Sequence, residues 1–137
     1  TLINNIYGDV LYLDPPYNSR QYCANYHVLE TIARYDNPIL KGKTGLRNYD
    51  GQKSNYCSKR KIVKEFDQLI RDAQFHYIFL SYNNEGLMSV DAIENIMAQY
   101  GEYRCYKHKH KRFKADKDEN RNTGEKETVE YLHCLIK

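Results

Sequence analysis

Continuous apolar runs and apolar residues at helical spacing alternate along this chain. Val10 to Leu13 is a short apolar run rich in strand formers, which predicts a strand buried on both faces, as in a parallel sheet. In "NYHVLETIARY" the residues Val28, Leu29, Ile32 and Ala33 fall at helical spacing and predict a first helix. "RKIVKEFDQLIRDA" is more strongly amphipathic. It places Ile62, Val63, Phe66, Leu69, Ile70 and Ala73 on one face, the pattern of a helix that covers a sheet. "HYIFLSY", residues 76–82, predicts a second buried strand. Ser89 suits an N-cap, Asp91 and Glu94 suit the positive end of a helix, and Gly101 suits a stop, so a third helix is placed over Val90–Tyr100. "EYRCYKHKHKRFK" and "TVEYLHCLIK" read as two strands flanking the hydrophilic turn "ADKDENRNTGEKE", which makes a hairpin.

The order strand, helix, helix, strand, helix, strand, strand is that of a doubly wound α/β sheet ending in an antiparallel pair. The chain's 137 residues are about one domain's length. Between Asp36 and Ser58 the pattern dissolves into a stretch with Pro38, Gly42, Gly45 and Gly51, which predicts a long flexible loop that substrate orders. The strand at Val10–Leu13 reads as interior yet stands at the start of the chain, so a sheet beginning there leaves an interior edge open. The expectation is that the N-terminal half of a larger sheet, in the same or another chain, completes it.

Composition narrows the classes. Hydrophobic residues make up 41% and charged residues 28%, with no run near the roughly eighteen apolar residues of a membrane span, so a soluble globular protein without a membrane partner is expected. "TLINNIYGDV" has neither the pattern of a signal peptide nor an initiator Met, and reads as the interior of a longer chain. Cys23, Cys57, Cys105 and Cys134 form no C-x-x-C pair and are expected as reduced thiols in the cytoplasm. The net charge of +3 is too small to argue for nucleic acid, so its distribution matters more. Fourteen Tyr stand beside four Phe and no Trp; tyrosine offers a flat face with a polar tip, suited to core edges and to stacking on something planar.

The chemistry concentrates in "VLYLDPPYN". In open α/β sheets, ligands sit beyond the C-terminal ends of the strands, and Asp14, Pro15, Pro16 and Tyr17 stand at such an end. The two prolines fix φ and lack an N–H, so the local carbonyls keep set directions. A carboxylate, an aimed carbonyl and an aromatic plane suit the exocyclic amine of a nucleobase. Its two protons can be held by Asp14 and the Pro15 carbonyl, and its ring can stack on Tyr17 once the base leaves its duplex. Such a site works by positioning and electrostatics.

"DPPY" after a hydrophobic strand, with "NSRQY" and "NYHVLETIA" following and "IFLSYNNEGLMS" and "VEYLHCLIK" downstream, resembles the D12 class of adenine-specific N6 DNA methyltransferases, from just before the motif to the C-terminal end. The resemblance implies a Rossmann-like, S-adenosyl-L-methionine-dependent fold, here the C-terminal half of its sheet, and a partial catalytic domain over residues 1–137. It implies methyl transfer to a flipped adenine in DNA, within a restriction-modification system. Asp14 is the residue it places against the cofactor, and Arg20, Tyr22, Ser81, Tyr82 and Asn83 are expected around the flipped base. The family's glycine-containing F-x-G-x-G loop has no counterpart in this sequence, which again points to a missing N-terminal half. Two other readings stay open: a methyltransferase for RNA or another amine, and a catalytically inert nucleic-acid-binding fragment.

"KHKHKRFK" carries Lys107, Lys109, Lys111, Arg112 and Lys114 with no acid among them, a strip for DNA phosphates or a solvated strand face charged against edge pairing. Cys105, His108, His110 and His133 are weak zinc candidates, because alternate strand residues point to opposite faces, and no metal is expected. "GKTG" at 42–45 lacks the first glycine and leading strand of a phosphate-binding loop; Lys41, Lys43, Arg47 and Lys53 around it are candidates for DNA contact.

Overall fold

The computed structural model describes residues 2–111 and 127–137; Arg112, Lys114 and the predicted hydrophilic turn lie outside the described residues. A 3-10 turn at Leu2–Asn5 leads into β1 (Tyr7–Leu13), followed by α1 (Tyr22–Asn25), α2 (His27–Arg34), α3 (Ile62–Asp72), β2 (Gln74–Asn83), α4 (Val90–Met97), β3 (Glu102–Lys111) and β4 (Glu127–Ile136). The strands form one mixed sheet in the order β1-β2-β4-β3. β1 and β2 are parallel, β2 and β4 antiparallel, and β4 and β3 antiparallel. Among the described residues no helix is long and apolar enough to cross a membrane.

Register explains which face is the core. Leu11 pairs with Ile78, Ile78 with Leu135, and Leu135 with Tyr103. Side chains in register share a face, so these four point the same way. Against them pack Ile62, Phe66 and Ile70 of α3 and Ile93, Ile96 and Met97 of α4, nearly all without solvent contact. Each such side chain contributes about 1.5–3 kcal/mol by leaving water. Ser89 caps α4 by accepting a hydrogen bond from the Ala92 N–H at 3.2 Å. The helix ends at Met97, short of the predicted Tyr100. Gly101 then lets the chain enter β3, since a Cβ there would strike the Ile136 carbonyl.

The opposite face is open. Val10, Tyr12, Tyr77, Leu132 and Tyr106 are all exposed there. Val10–Leu13 is therefore not buried on both faces as its composition suggested. α3 and α4 share one face, so among the described residues the sheet is covered on one side, where a doubly wound sheet is covered on both. The first predicted helix forms where expected, as α2, with the short α1 before it ending at Asn25, but Val28, Leu29 and Ile32 are exposed. Its amphipathic spacing was real, but nothing in the described residues covers that stripe.

The stretch 36–58, expected to be flexible, has a folded pattern of its own. Buried Arg47 holds Asp36 through two hydrogen bonds, 3.2 and 2.6 Å, and reaches Thr31 of α2 at 3.4 Å. This guanidinium keeps the Asp36 carboxyl below its ordinary range. Lys41 and Leu46 form an isolated bridge across a turn in which Gly42 and Gly45 take positive φ, the conformation glycine adopts most readily. Gln21 then acts as a substitute strand: its amide accepts from the Ser54 N–H at 2.8 Å and donates to the Ser54 carbonyl at 3.1 Å. Composition could not reveal these tethers, because they depend on particular pairings, Arg47 with Asp36, Lys41 with Leu46 and Gln21 with Ser54, and not on periodicity.

His133 carries a pH dependence. It is fully buried and its Nδ1 meets the Tyr103 hydroxyl at 2.7 Å, while Nε2 has no partner among the described residues. Burial pushes the imidazole down from 6.5 to about 4. The unfolded chain therefore takes up this proton at a higher pH than the folded one, so the contribution is complete above 6.5 and is lost as the pH falls toward 4. Denaturant unfolding at a series of pH values should show stability declining across that window, and His133→Phe should flatten the decline.

Candidate active site

Asp14 follows the last residue of β1, beside the end of β2, because Leu13 pairs with Leu80. Asp14 is exposed, while Pro15, Pro16 and Tyr17 are half-buried. The prolines keep the segment out of any helix; the next one begins at Tyr22. The Tyr17 hydroxyl donates to Asp14 Oδ1 at 3.0 Å. Burial pushes the Tyr17 phenol up to about 12, with Ser81 opposing through a hydrogen bond and the Asp14 carboxylate adding to the rise. The phenol thus stays a donor at any working pH and fixes one carboxylate oxygen.

A cleft of about 350 Å³ opens beside this motif, lined by Leu13, Asp14, Pro15, Pro16, Tyr56 and Phe66 among others. That volume is near the lower end of ligand pockets, roughly 300–1,000 Å³. One wall comes from α3. Another, Ser54 and Tyr56, comes from the stretch expected to be a loose loop. A 3-10 turn at Asn55–Cys57 presents Tyr56, whose hydroxyl reaches the Glu65 carbonyl at 3.4 Å, while Cys57 Sγ reaches the Arg20 carbonyl at 3.3 Å. Sequence reasoning missed Ser54, Tyr56 and Gln21, which have no periodicity or motif to mark them.

The structure brings some of the predicted site residues together and separates others. Asp14, Pro15, Pro16, Tyr17 and Ser81 are together at the ends of β1 and β2. Arg20 is exposed just beyond, its backbone N–H bonded to Asn18 Oδ1 at 2.9 Å. Tyr22 lies apart: it lines a separate hollow with Cys23, Tyr26, Leu29, Glu30 and Gln52. Tyr82 does not face the crevice. Strand alternation turns it to the opposite side from Ser81, into the core, at 1% exposure. Asn83 shapes the following turn, its Oδ1 accepting from the Glu85 N–H at 3.1 Å.

The basic strip is on β3, the far edge of the sheet, yet at the same end as Asp14. Lys107 pairs with Tyr131, and Tyr131 with Tyr82. Lys107 and Lys109 are exposed, and the backbone of Lys111 ends the strand. Three strand spacings separate the edges, about 15 Å at roughly 4.8 Å each. Among the described residues no group of three or more His, Cys, Asp or Glu side chains has a metal-holding arrangement.

A carboxylate, two stiffened prolines and a tyrosine plane stand together at the carboxyl end of a parallel strand. The chain belongs to the family of D12 class N6 adenine-specific DNA methyltransferases, whose model matches residues 1–96. It is 60% identical over 99% of its length to the type II methyltransferase M.NlaIII of Neisseria lactamica, covering 40% of that protein. It is 49% identical over 84% of its length to M.FokI of Planomicrobium okeanokoites, covering 18%, and 39% identical to M.CviAII of Paramecium bursaria Chlorella virus 1, covering 32%. The chain thus spans less than half the length of these relatives. No solved structure matches it significantly.

Tyr17 gives a direct test of the geometry. Its neutral form is the one the fold favours, so its contribution is complete below the ordinary phenol value of 10 and is lost as pH rises toward about 12. In ring-labelled NMR titrations the resonance that Tyr17→Phe removes should be one that ionises near 12, as the half-buried Tyr56 also does.

Proposed function

We propose that the complete protein is a DNA methyltransferase of a restriction-modification system, acting on the N6 amine of adenine. What carries this reading is the Asp14–Tyr17 constellation at the carboxyl end of β1. Asp14 and the Pro15 carbonyl accept hydrogen bonds from the two amine protons. This localises the nitrogen lone pair and aims it, while Tyr17 stacks on the extruded base. Tyr17 takes one Asp14 oxygen and leaves the other for the amine. Arg20 and Tyr22 stand further out, where the flanking strand passes, and Tyr22 reaches the base only if α1 moves. Lys107 and Lys109 track phosphates at the same end of the sheet, a salt-sensitive, sequence-independent contribution.

S-adenosyl-L-methionine, when bound, supplies an electrophilic methyl group on a sulfonium. The residues present fit part of it: Asp14 suits its ammonium group, and the apolar cleft beside the prolines suits an uncharged portion. The described residues contain no glycine-rich turn after a strand for close backbone approach. The rest of a Rossmann-like fold, in the same or another chain, supplies that turn and covers the open sheet face. The exposure of Val10, Tyr12, Tyr77 and Leu132 supports this assignment, as does the greater length of the relatives. Such an enzyme works beside the DNA it modifies, in the cytoplasm.

Asp14→Ala in the complete enzyme should lower methyl incorporation by at least about a thousandfold, with circular dichroism unchanged and most DNA affinity retained. Mass spectrometry of nucleosides after incubation with DNA or with RNA reads both the loss and the acceptor. Wild-type turnover in Asp14→Ala would refute the reading.

A further inference from the structure

Tyr82 is buried and carries no surface for a ligand, yet its contacts converge on Tyr17. The two rings meet edge-on, with centroids 5.3 Å apart and planes at 78°. The Tyr82 hydroxyl accepts from the backbone N–H groups of Leu87 at 3.1 Å and Met88 at 3.4 Å. The same Leu87 N–H donates to the Tyr17 carbonyl at 3.0 Å. One donor is thus shared between the backbone of the DPPY tyrosine and the hydroxyl beneath its ring.

The turn that delivers this donor is fixed from both sides. Gly86 N–H donates to the Asn83 carbonyl at 3.2 Å. Asn84 pairs with Val129 of β4 twice, once through its backbone N–H and once through its side-chain oxygen, each at 3.0 Å. Gly86 must be glycine, because a Cβ there would fall inside the Tyr82 ring. Satisfying a buried hydroxyl needs one partner. Here the hydroxyl also meets the turn that holds the Tyr17 backbone, while the ring itself supports the Tyr17 ring.

We propose that Tyr82 is a positioning residue for the transfer reaction: it sets the height and tilt of the Tyr17 ring, and so the plane on which the target base stacks, without touching the base. This rests on the methyl-transfer reading given above. The Leu87 N–H fixes the Tyr17 backbone, Ser81 contacts its hydroxyl, and the far end of the ring is tethered by the hydroxyl bond to Asp14. Without the Tyr82 ring its aromatic plane can swing about that tether.

The test uses the complete enzyme and a DNA duplex with 2-aminopurine in place of the target adenine, with S-adenosylhomocysteine in the cofactor site. Tyr82→Leu should lower the single-turnover rate on unmodified DNA by about tenfold or more, leave the KM for DNA within about twofold, and raise 2-aminopurine fluorescence as ring contact loosens. Tyr82→Phe keeps the ring and should restore most of the quenching and rate. Gly86→Ala, which displaces the ring, should resemble Tyr82→Leu. If folded Tyr82→Leu and Gly86→Ala transfer at the wild-type rate with wild-type fluorescence, or lose rate only in proportion to the folded fraction, Tyr82 is a core residue and the proposal falls. Asp14→Ala in the same series separates the two ideas. Turnover in that variant removes the methyl-transfer reading itself, whereas an inactive Asp14→Ala beside unaffected Tyr82 variants overturns positioning alone.

Discussion

The parallel pairing of β1 with β2, in register at Leu13 and Leu80, is the constraint from which the site follows. Once it is set, Asp14 leaves β1 beside Ser81, which stays in β2. The prolines prevent the chain from turning at once into a helix, and Tyr17 has one place to lie, against the end of β2. Alternation along β2 then divides the labour: Ser81 touches Tyr17 from the open side, while Tyr82 reaches it from the core. A slip of one residue would exchange those roles and put a polar hydroxymethyl group into the hydrophobic cluster.

Core and site are also joined through the segment between α2 and α3. Tyr56 stands on the Glu65 carbonyl of α3, and Ser54 is clasped by Gln21, so one turn both closes the cleft and ties the segment after the motif to the helical layer. The Arg47–Asp36 pair does the same at the far end of the segment. An ion pair with one exposed partner, as Asp36 is, contributes little net stability, but it selects one path for a chain whose composition would permit many.

The sequence made the strongest periodicities readable. α3, β2 and the β3–β4 pair are where spacing and strand formers put them, and Asp14 to Tyr17 stood out because two prolines after a strand are hard to explain otherwise. Burial was read less well. Val10 and Tyr12 have the composition of an interior strand but are exposed, because apolarity records what a residue can be covered by and not whether the described chain supplies the cover. Val28, Leu29 and Ile32 misled for the same reason. Tyr82 was grouped with Ser81 and Asn83 by proximity in sequence, when the two-residue period of a strand separates them. The walls of the cleft at Ser54 and Tyr56 were invisible because they depend on hydrogen bonds to residues more than thirty positions away at Gln21 or nine away at Glu65, and such contacts leave no local pattern.

β1 has a strand neighbour on one side only among the described residues, and this bears on the order in which order itself is acquired. β2 and β4 are hydrogen-bonded along both edges and packed under α3 and α4, so they form the part of the chain that opens last. β1 is more weakly held, and it is the strand that ends in Asp14. Asp14 is therefore attached to an edge strand of the described sheet, and its alignment depends on the single β1–β2 pairing and not on the doubly held centre.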